Sequence, residues 1–216
     1  MVSTTYDVHG NLTEQVQANK VKESLSYFPV AGIAGECPPG PAGFVRTLRE
    51  KTVTPAPDHE PGAPVLRPRH RYTLLSPLTG TPDEIYNGRN DCLVLTDETL
   101  YEVNGTQEQT LQHSAYLTCN DPDDPLLHGR RQQQAITLNG LTTTTDYAYE
   151  KLVSTFVGET VLKTIETLTG YDHGVDGKHT QKIVTLEHSL LHGEPRLTRD
   201  DNDVEIRYWY DALLRV

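Results

Sequence analysis

The 216-residue chain has little cysteine, a shortage of basic residues and no long apolar run. Its three cysteines, Cys37, Cys92 and Cys119, are odd in number and lack C-x-x-C spacing, which argues against a disulfide framework and favours buried free thiols. Nineteen lysines and arginines stand against 30 aspartates and glutamates, which gives a net charge of -11. Because nucleic acid and anionic membranes repel such a chain, we expect neither as a partner.

Segments for membrane insertion and export are also missing. No stretch approaches the roughly 20 apolar residues that a membrane-spanning helix requires. The opening MVSTTYDVHG lacks the basic start and apolar core of a secretory signal. We therefore expect no membrane-spanning segment and no signal peptide in this chain.

What is present favours β-structure. Tyrosine (11) outnumbers phenylalanine (3) and tryptophan (1), and aromatic and β-branched residues suit a pleated sheet. Apolar and polar residues alternate over 12–18 and again over 21–27, which predicts a hairpin. Asn104-Gly105 and Asn139-Gly140 each separate two alternating runs and predict type I′ hairpins. No window has helical periodicity, so we predict an all-β fold, an antiparallel hairpin meander forming a curved sheet.

The chain divides by composition into three parts. Residues 1–28 form the first hairpin, and 29–64 form a Pro/Gly-rich loop region with one strand within 44–54. Residues 65–216 continue as an antiparallel meander. Its last predicted pair joins EPRLTRD to VEIRYWYDAL across Asp201-Asn202.

One short sequence opens the chain and returns near its end. Tyr6-Asp7-x-x-Gly10-Asn11 is followed by an alternating strand, and 201–204 repeat it weakly before Tyr210-Asp211 in YDALLRV. Both phrases resemble the YD repeat of Rhs-type proteins, bacterial polymorphic toxins and the shell subunits of insecticidal toxin complexes. Leu214 stands where the family's closing phrase has glycine, so we expect that turn to differ in type or not to form. The resemblance suggests a fragment or shortened member of a longer chain.

The resemblance implies a structural role. In this family, hairpins pair into a β-shell that encapsulates a toxic C-terminal polypeptide for delivery. The implied partners are the remainder of the shell and its toxin cargo. The implied location is secreted or at the cell surface as part of a larger toxin, and otherwise cytoplasmic. Open sheet edges also allow a homo-oligomer.

A carbohydrate-binding β-sheet module on a bacterial surface or secreted protein is the alternative function. Its expected binding residues are Tyr208, Trp209 and Tyr210. Glycan binding that is lost in Trp209→Ala would favour this alternative. Aggregation or co-assembly without glycan binding would favour the shell.

No motif predicts an enzyme, a metal site or a cofactor. The nine histidines are dispersed, and His188-x-x-x-His192 on a strand would place its two rings about 13 Å apart, too far for one ion. Cys119 and His113 would lie about 20 Å apart on one strand. Two acidic loops could hold calcium, but turn formation explains them better. Their carboxylates are Asp121, Asp123 and Asp124 in the first loop, and Asp172 and Asp176 in the second.

Overall fold

A computed structural model describes residues 2–57, 63–82, 91–173, 178–211 and 213. These residues form thirteen strands and no helix, and the predicted all-β antiparallel meander is confirmed. The strands are β1 Ser3–Tyr6, β2 Leu12–Val16, β3 Lys22–Tyr27, β4 Leu48–Thr54, β5 Val65–Leu75, β6 Cys92–Asn104, β7 Gln107–Thr118, β8 Arg131–Leu138, β9 Leu141–Val153, β10 Thr160–His173, β11 His179–Ser189, β12 Pro195–Arg199 and β13 Glu205–Arg207.

All thirteen strands belong to one sheet, and their order in the sheet equals their order in the chain. Each strand therefore pairs with its sequence neighbours, and all pairs are antiparallel. Among the described strands, β1 and β13 each have a neighbour on one side only, so the sheet is open.

The two Asn-Gly hairpins are confirmed, but their turns differ. Asn139 (φ 51°) and Gly140 (φ 77°) both lie in the left-handed region, as the predicted type I′ turn requires. At the other hairpin Asn104 is the last residue of β6 and pairs with Gln107, so the central turn residues are Gly105 and 106. Only the first of these has positive φ (62°), which is the pattern of a type II′ turn. The type I′ prediction there is wrong, because glycine in the first central position alone satisfies the turn.

The sheet buries few side chains. Within the described residues, the buried apolar set is Phe28, Cys37, Leu75, Val161, Leu162 and Leu197. The chain exposes 13930 Å². A compact monomer of its 24.1 kDa mass would expose about 10,000 Å². A single open sheet exposes more surface than a compact domain, in line with this excess of roughly 4,000 Å².

Phe28 and the Pro/Gly-rich region that follows it pack at one end of β3 to β5, where the Tyr72 amide donates to the Glu36 carbonyl at 2.9 Å. Phe28 is buried, meets the Tyr72 ring edge-on at 6.0 Å and lies 5.8 Å below the Arg49 guanidinium. The Tyr72 hydroxyl donates to the Leu48 carbonyl at 3.0 Å. Burial raises the pKa of Tyr72 to about 12. These contacts form a small local core at this end of the sheet.

An ion network ties four strands together on one face. Arg69 bonds Glu50 at 2.8 Å and Glu108 at 2.8 Å, and Arg67 bonds Glu108 at 2.6 Å. Arg69 also lies 5.0 Å above the Tyr101 ring. Hydrogen bonding to Glu50 holds the pKa of Arg69 above its usual value. These contacts connect β4, β5, β6 and β7 through side chains on the surface of the sheet.

All three cysteines are free, as predicted, but only one is buried. Burial raises the pKa of the Cys37 thiol. Cys119 is half-buried and Cys92 is exposed, so the prediction of burial is wrong for these two. Cys92 begins β6, and Cys119 directly follows β7.

Candidate functional site

The opening Tyr-Asp sequence forms a closed turn between β1 and β2. The Asp7 Oδ1 atom accepts from the amides of His9 at 2.8 Å and Asn11 at 2.9 Å, and Gly10 has φ of 80°. The Asn11 side chain donates to Asp7 Oδ2 at 2.9 Å and to the Val45 carbonyl at 2.5 Å. Hydrogen bonding from Asn11 lowers the pKa of Asp7. Tyr6 precedes this turn with a 59% exposed side chain.

The same turn recurs between β12 and β13, one residue earlier than the repeat predicted at 201–204. Asp200 Oδ1 accepts from the amides of Asn202 and Val204, both at 2.9 Å. Asp203, with φ of 59°, occupies the position of the glycine in the first turn. The predicted repeat began at Asp201, which is wrong. Aspartate tolerates the left-handed backbone, so the turn survives without glycine.

The closing Tyr-Asp sequence repeats the first bond of that turn. Asp211 Oδ1 accepts from the Leu213 amide at 2.8 Å, the same two-residue spacing as in the two complete turns. Leu214, where we expect an altered turn, lies outside the described residues.

The predicted final strand is shorter than expected. β13 ends at Arg207, and one further backbone bond joins the Tyr208 amide to the Arg196 carbonyl at 3.0 Å. The side chains of Trp209 and Tyr210, which follow, contact different parts of the protein. Trp209 is 65% exposed and meets Phe156 edge-on at 4.3 Å, whereas Tyr210 lies against other side chains. The predicted binding residues therefore do not form one flat aromatic surface.

Beneath these aromatics lie two copies of a turn that the sequence analysis missed. STFVGE (154–159) and SLLHGE (189–194) share the pattern S-x-x-x-G-E. In each copy the serine amide donates to the glutamate carbonyl at 2.9 Å, and the glycine amide donates to the serine carbonyl at 2.8 or 2.9 Å. Both serines are buried. The repeated S-x-x-x-G-E spacing could have predicted that the two segments form the same turn.

Arg196 links the two copies to the terminal segment. Its guanidinium bonds both carboxylate oxygens of Glu159, at 2.6 and 3.0 Å, and lies 2.9 Å from His192 Nε2. It also lies 5.0 Å from the centre of the Tyr210 ring. The Arg196 hydrogen bond holds the pKa of Glu159 below its usual value. We call Glu159, His192, Arg196 and Tyr210 the Arg196 cluster.

The cluster contains residue types used in hydrolases but not their arrangement. Ser189 is 2% exposed, so its hydroxyl cannot meet a substrate. Glu159 is neutralised by an arginine, and His192 Nε2 faces that same arginine. Nucleophilic catalysis needs an accessible nucleophile beside a free base. The cluster is a structural junction.

An open groove of about 330 Å³ lies beside the Phe156–Trp209 pair. Its charged lining residues are Lys163, Glu187, Arg199, Glu205 and Arg207. Several of these charges are already engaged. The Arg207 guanidinium bonds Glu205 at 2.6 Å, and Glu187 accepts from the Ser154 hydroxyl at 2.7 Å.

The carboxylates of the two predicted calcium loops accept hydrogen bonds from other groups of the protein. Asp124 Oδ1 accepts from the Leu126 amide at 2.8 Å, and Asp123 accepts from the Thr79 hydroxyl at 2.6 Å. Asp172 lies on β10, so its predicted place in a loop is wrong, and it accepts from the Thr180 hydroxyl at 3.1 Å, while Asp176 lies outside the described residues. Within the described ranges no three histidine, cysteine or acidic side chains converge on a metal position.

Comparison with protein-family models finds no match, and no curated protein matches the chain. In the described part of the chain no helix is long and apolar enough to cross a membrane.

Proposed function

We propose that this chain is a segment of the wall of an Rhs-type shell that encapsulates a toxic polypeptide. The observation that carries this proposal is the open sheet of 13 strands in chain order. Its 13930 Å² of exposed surface exceeds that of a compact monomer by roughly 4,000 Å². A wall must separate two compartments, and a single layer with two solvated faces suits that task.

The side chains on the sheet support the same role. The Thr137 and Thr142 hydroxyls bond at 2.8 Å across β8 and β9, and Gln133 donates to Asp146 at 2.7 Å on the same face. These polar pairs are solvated, and Leu117 is an exposed apolar side chain on the same face, opposite Gln133. Cross-strand polar pairs of this kind stabilise a sheet without an apolar layer above it.

The turns add support from local structure. The Asp7 turn recurs at Asp200, and Asp211 begins it again. A turn unit that returns along a meander is what the resemblance to YD repeats implies. Repetition of one strand-turn-strand unit extends a sheet sideways without a change of architecture.

The test uses the complete open reading frame that contains this segment. Electron microscopy of the purified product should show a hollow particle, and added protease should spare an enclosed segment. Val161→Asp places a charge at a position with no exposed surface and should open the particle to protease, whereas Val153→Asp, at a 62% exposed position, should not. A product without a cavity, or a segment cleaved as fast as the free peptide, contradicts the proposal.

Carbohydrate binding is a second candidate, favoured by the exposed Trp209 ring beside the charged groove. Aromatic faces and fixed polar groups together suit a sugar ring. A glycan array should then give hits that Trp209→Ala abolishes. Leu191→Ala, at an 86% exposed position, is the matched control and should retain them. Absence of any glycan hit for the wild-type chain contradicts this candidate.

A further inference from the structure

The two edges of the sheet are protected differently. β13 has three residues, two of them charged, and Glu205 and Arg207 bond each other at 2.6 Å. β1 has the sequence STTY, without charge or proline, and all four residues are exposed. Both strands are short, but charged side chains on an edge strand oppose the addition of another strand, so β13 is protected and β1 is not.

The open edge also presents an apolar pair on one face. Val2, Thr4 and Tyr6 are alternate residues, so their side chains share a face of the sheet. The bulge at this hairpin places its extra residue on β2, so alternation along β1 is unbroken. Val2 is 57% exposed and Tyr6 is 59% exposed.

We propose that β1 pairs antiparallel with β1 of a second copy of this chain. A two-fold axis perpendicular to the sheet keeps each face continuous, so only residues of the same face can lie opposite one another. Centred on Thr4, this register places Thr4 opposite the second copy's Thr4. Val2 then lies opposite Tyr6 on both sides of the axis, and each covers the other's exposed surface.

The net charge of the chain also favours pairing at the β1 edge. The chain carries a net charge of -11, so two copies repel one another over most of their surfaces. A contact between copies is favoured where no charge faces the partner, and β1 meets that condition. The alternative register centred on Thr5 would place Ser3 opposite Asp7, a residue whose carboxylate already holds the turn.

The expected dimer is weak. Stable interfaces bury about 1,200 to 2,000 Å² in total, and pairing of two short edge strands lies below that range. Association should therefore depend on concentration. The inference identifies what pairs with one edge of the proposed wall. It rests on the proposed function only in the assumption that the edges of the sheet are pairing sites.

Sedimentation velocity over a wide concentration range tests the pairing. The wild-type chain should shift from monomer to dimer. Thr4→Lys and Thr4→Glu should each stay monomeric at concentrations where the wild type is dimeric, because each places like charges on the axis. An equimolar mixture of these two variants should dimerise again, because the axis then carries opposite charges.

Ile206→Lys is the matched control, because it places a lysine at the 54% exposed position on β13, the other edge. It should dimerise like the wild type. The inference is overturned by a wild type that stays monomeric or forms open-ended fibres, by a dimeric Thr4→Lys, or by a mixture that stays monomeric. A hollow particle from the complete reading frame together with a monomeric wild-type segment would reject this inference and leave the wall proposal intact.

Discussion

Replacement of Arg196 by methionine tests how the end of the sheet is held. Methionine keeps an unbranched apolar side chain, so the change removes mainly the charge and the hydrogen bonds. The lost contacts are two bonds to Glu159, at 2.6 and 3.0 Å, and the approach to the Tyr210 ring at 5.0 Å. The carboxylate of Glu159 would remain without its cation.

The expected loss follows from burial. The Arg196 and Glu159 side chains are 11% and 25% exposed. Exposed pairs contribute about 0.2–1 kcal/mol, and removal of one partner of a fully buried pair costs about 3–5 kcal/mol. The pair lies between these limits, so we expect Arg196→Met to lower the free energy of unfolding by about 2 kcal/mol at neutral pH.

The loss should depend on pH. Arg196 depresses the pKa of Glu159 in the folded chain below its ordinary value of 4.5. The stability from this pair is therefore fully present above that value and disappears as the pH falls through the lower folded-state pKa. The difference between wild type and Arg196→Met should shrink over the same range.

Urea unfolding followed by circular dichroism at several pH values from neutral to acidic measures both effects. Arg199→Met is the matched control on β12, because Arg199 lies 3.9 Å from Glu205 and its side chain is 41% exposed. It should cost less than about 0.5 kcal/mol. A loss of equal size in the two variants, or an Arg196→Met difference unchanged in acid, would refute the argument.

Three further predictions concern single residues. Val161→Ala removes a side chain with no exposed surface and should cost about 2 kcal/mol in urea unfolding, against less than about 0.5 kcal/mol for Val153→Ala at a 62% exposed position; equal costs would contradict the burial pattern. In Gly10→Ala the added Cβ meets no atom within 4 Å, so only the φ of 80° opposes the substitution. Thermal unfolding should show that the free energy of unfolding falls by about 1 kcal/mol, and an unchanged melting curve would contradict the turn geometry. Burial raises the pKa of Tyr72 from 10.0 to about 12, so wild-type stability should fall as pH rises across that interval while Tyr72→Phe falls less steeply; parallel declines would exclude the buried hydroxyl.

The aromatic residues near the end of the chain mark the limit of prediction from spacing. Tyr208, Trp209 and Tyr210 are the predicted binding residues of a β-sheet surface with exposed aromatic side chains. In the structure Trp209 meets Phe156 and Tyr210 meets Arg196. Neighbouring residues of an extended chain point in opposite directions, so adjacency in sequence separates their rings.

The Arg196 cluster could not have been assembled from local patterns. Arg196 and Glu159 belong to different hairpins and meet only because β10 to β12 lie side by side. The repeated S-x-x-x-G-E sequence was visible, but it does not reveal that a later arginine joins its two copies. That contact requires the register of three strands.

The sequence alone predicted most of the strands and their arrangement as hairpins in chain order, because alternation and turn residues act over a few neighbouring positions. The sequence could not determine whether a second layer covers the sheet. Alternation indicates which side chains share a face, but it does not indicate which other segments pack on that face. Only the tertiary structure decided that the described strands form one open layer with both faces in solvent, because covering a face depends on contacts between distant segments.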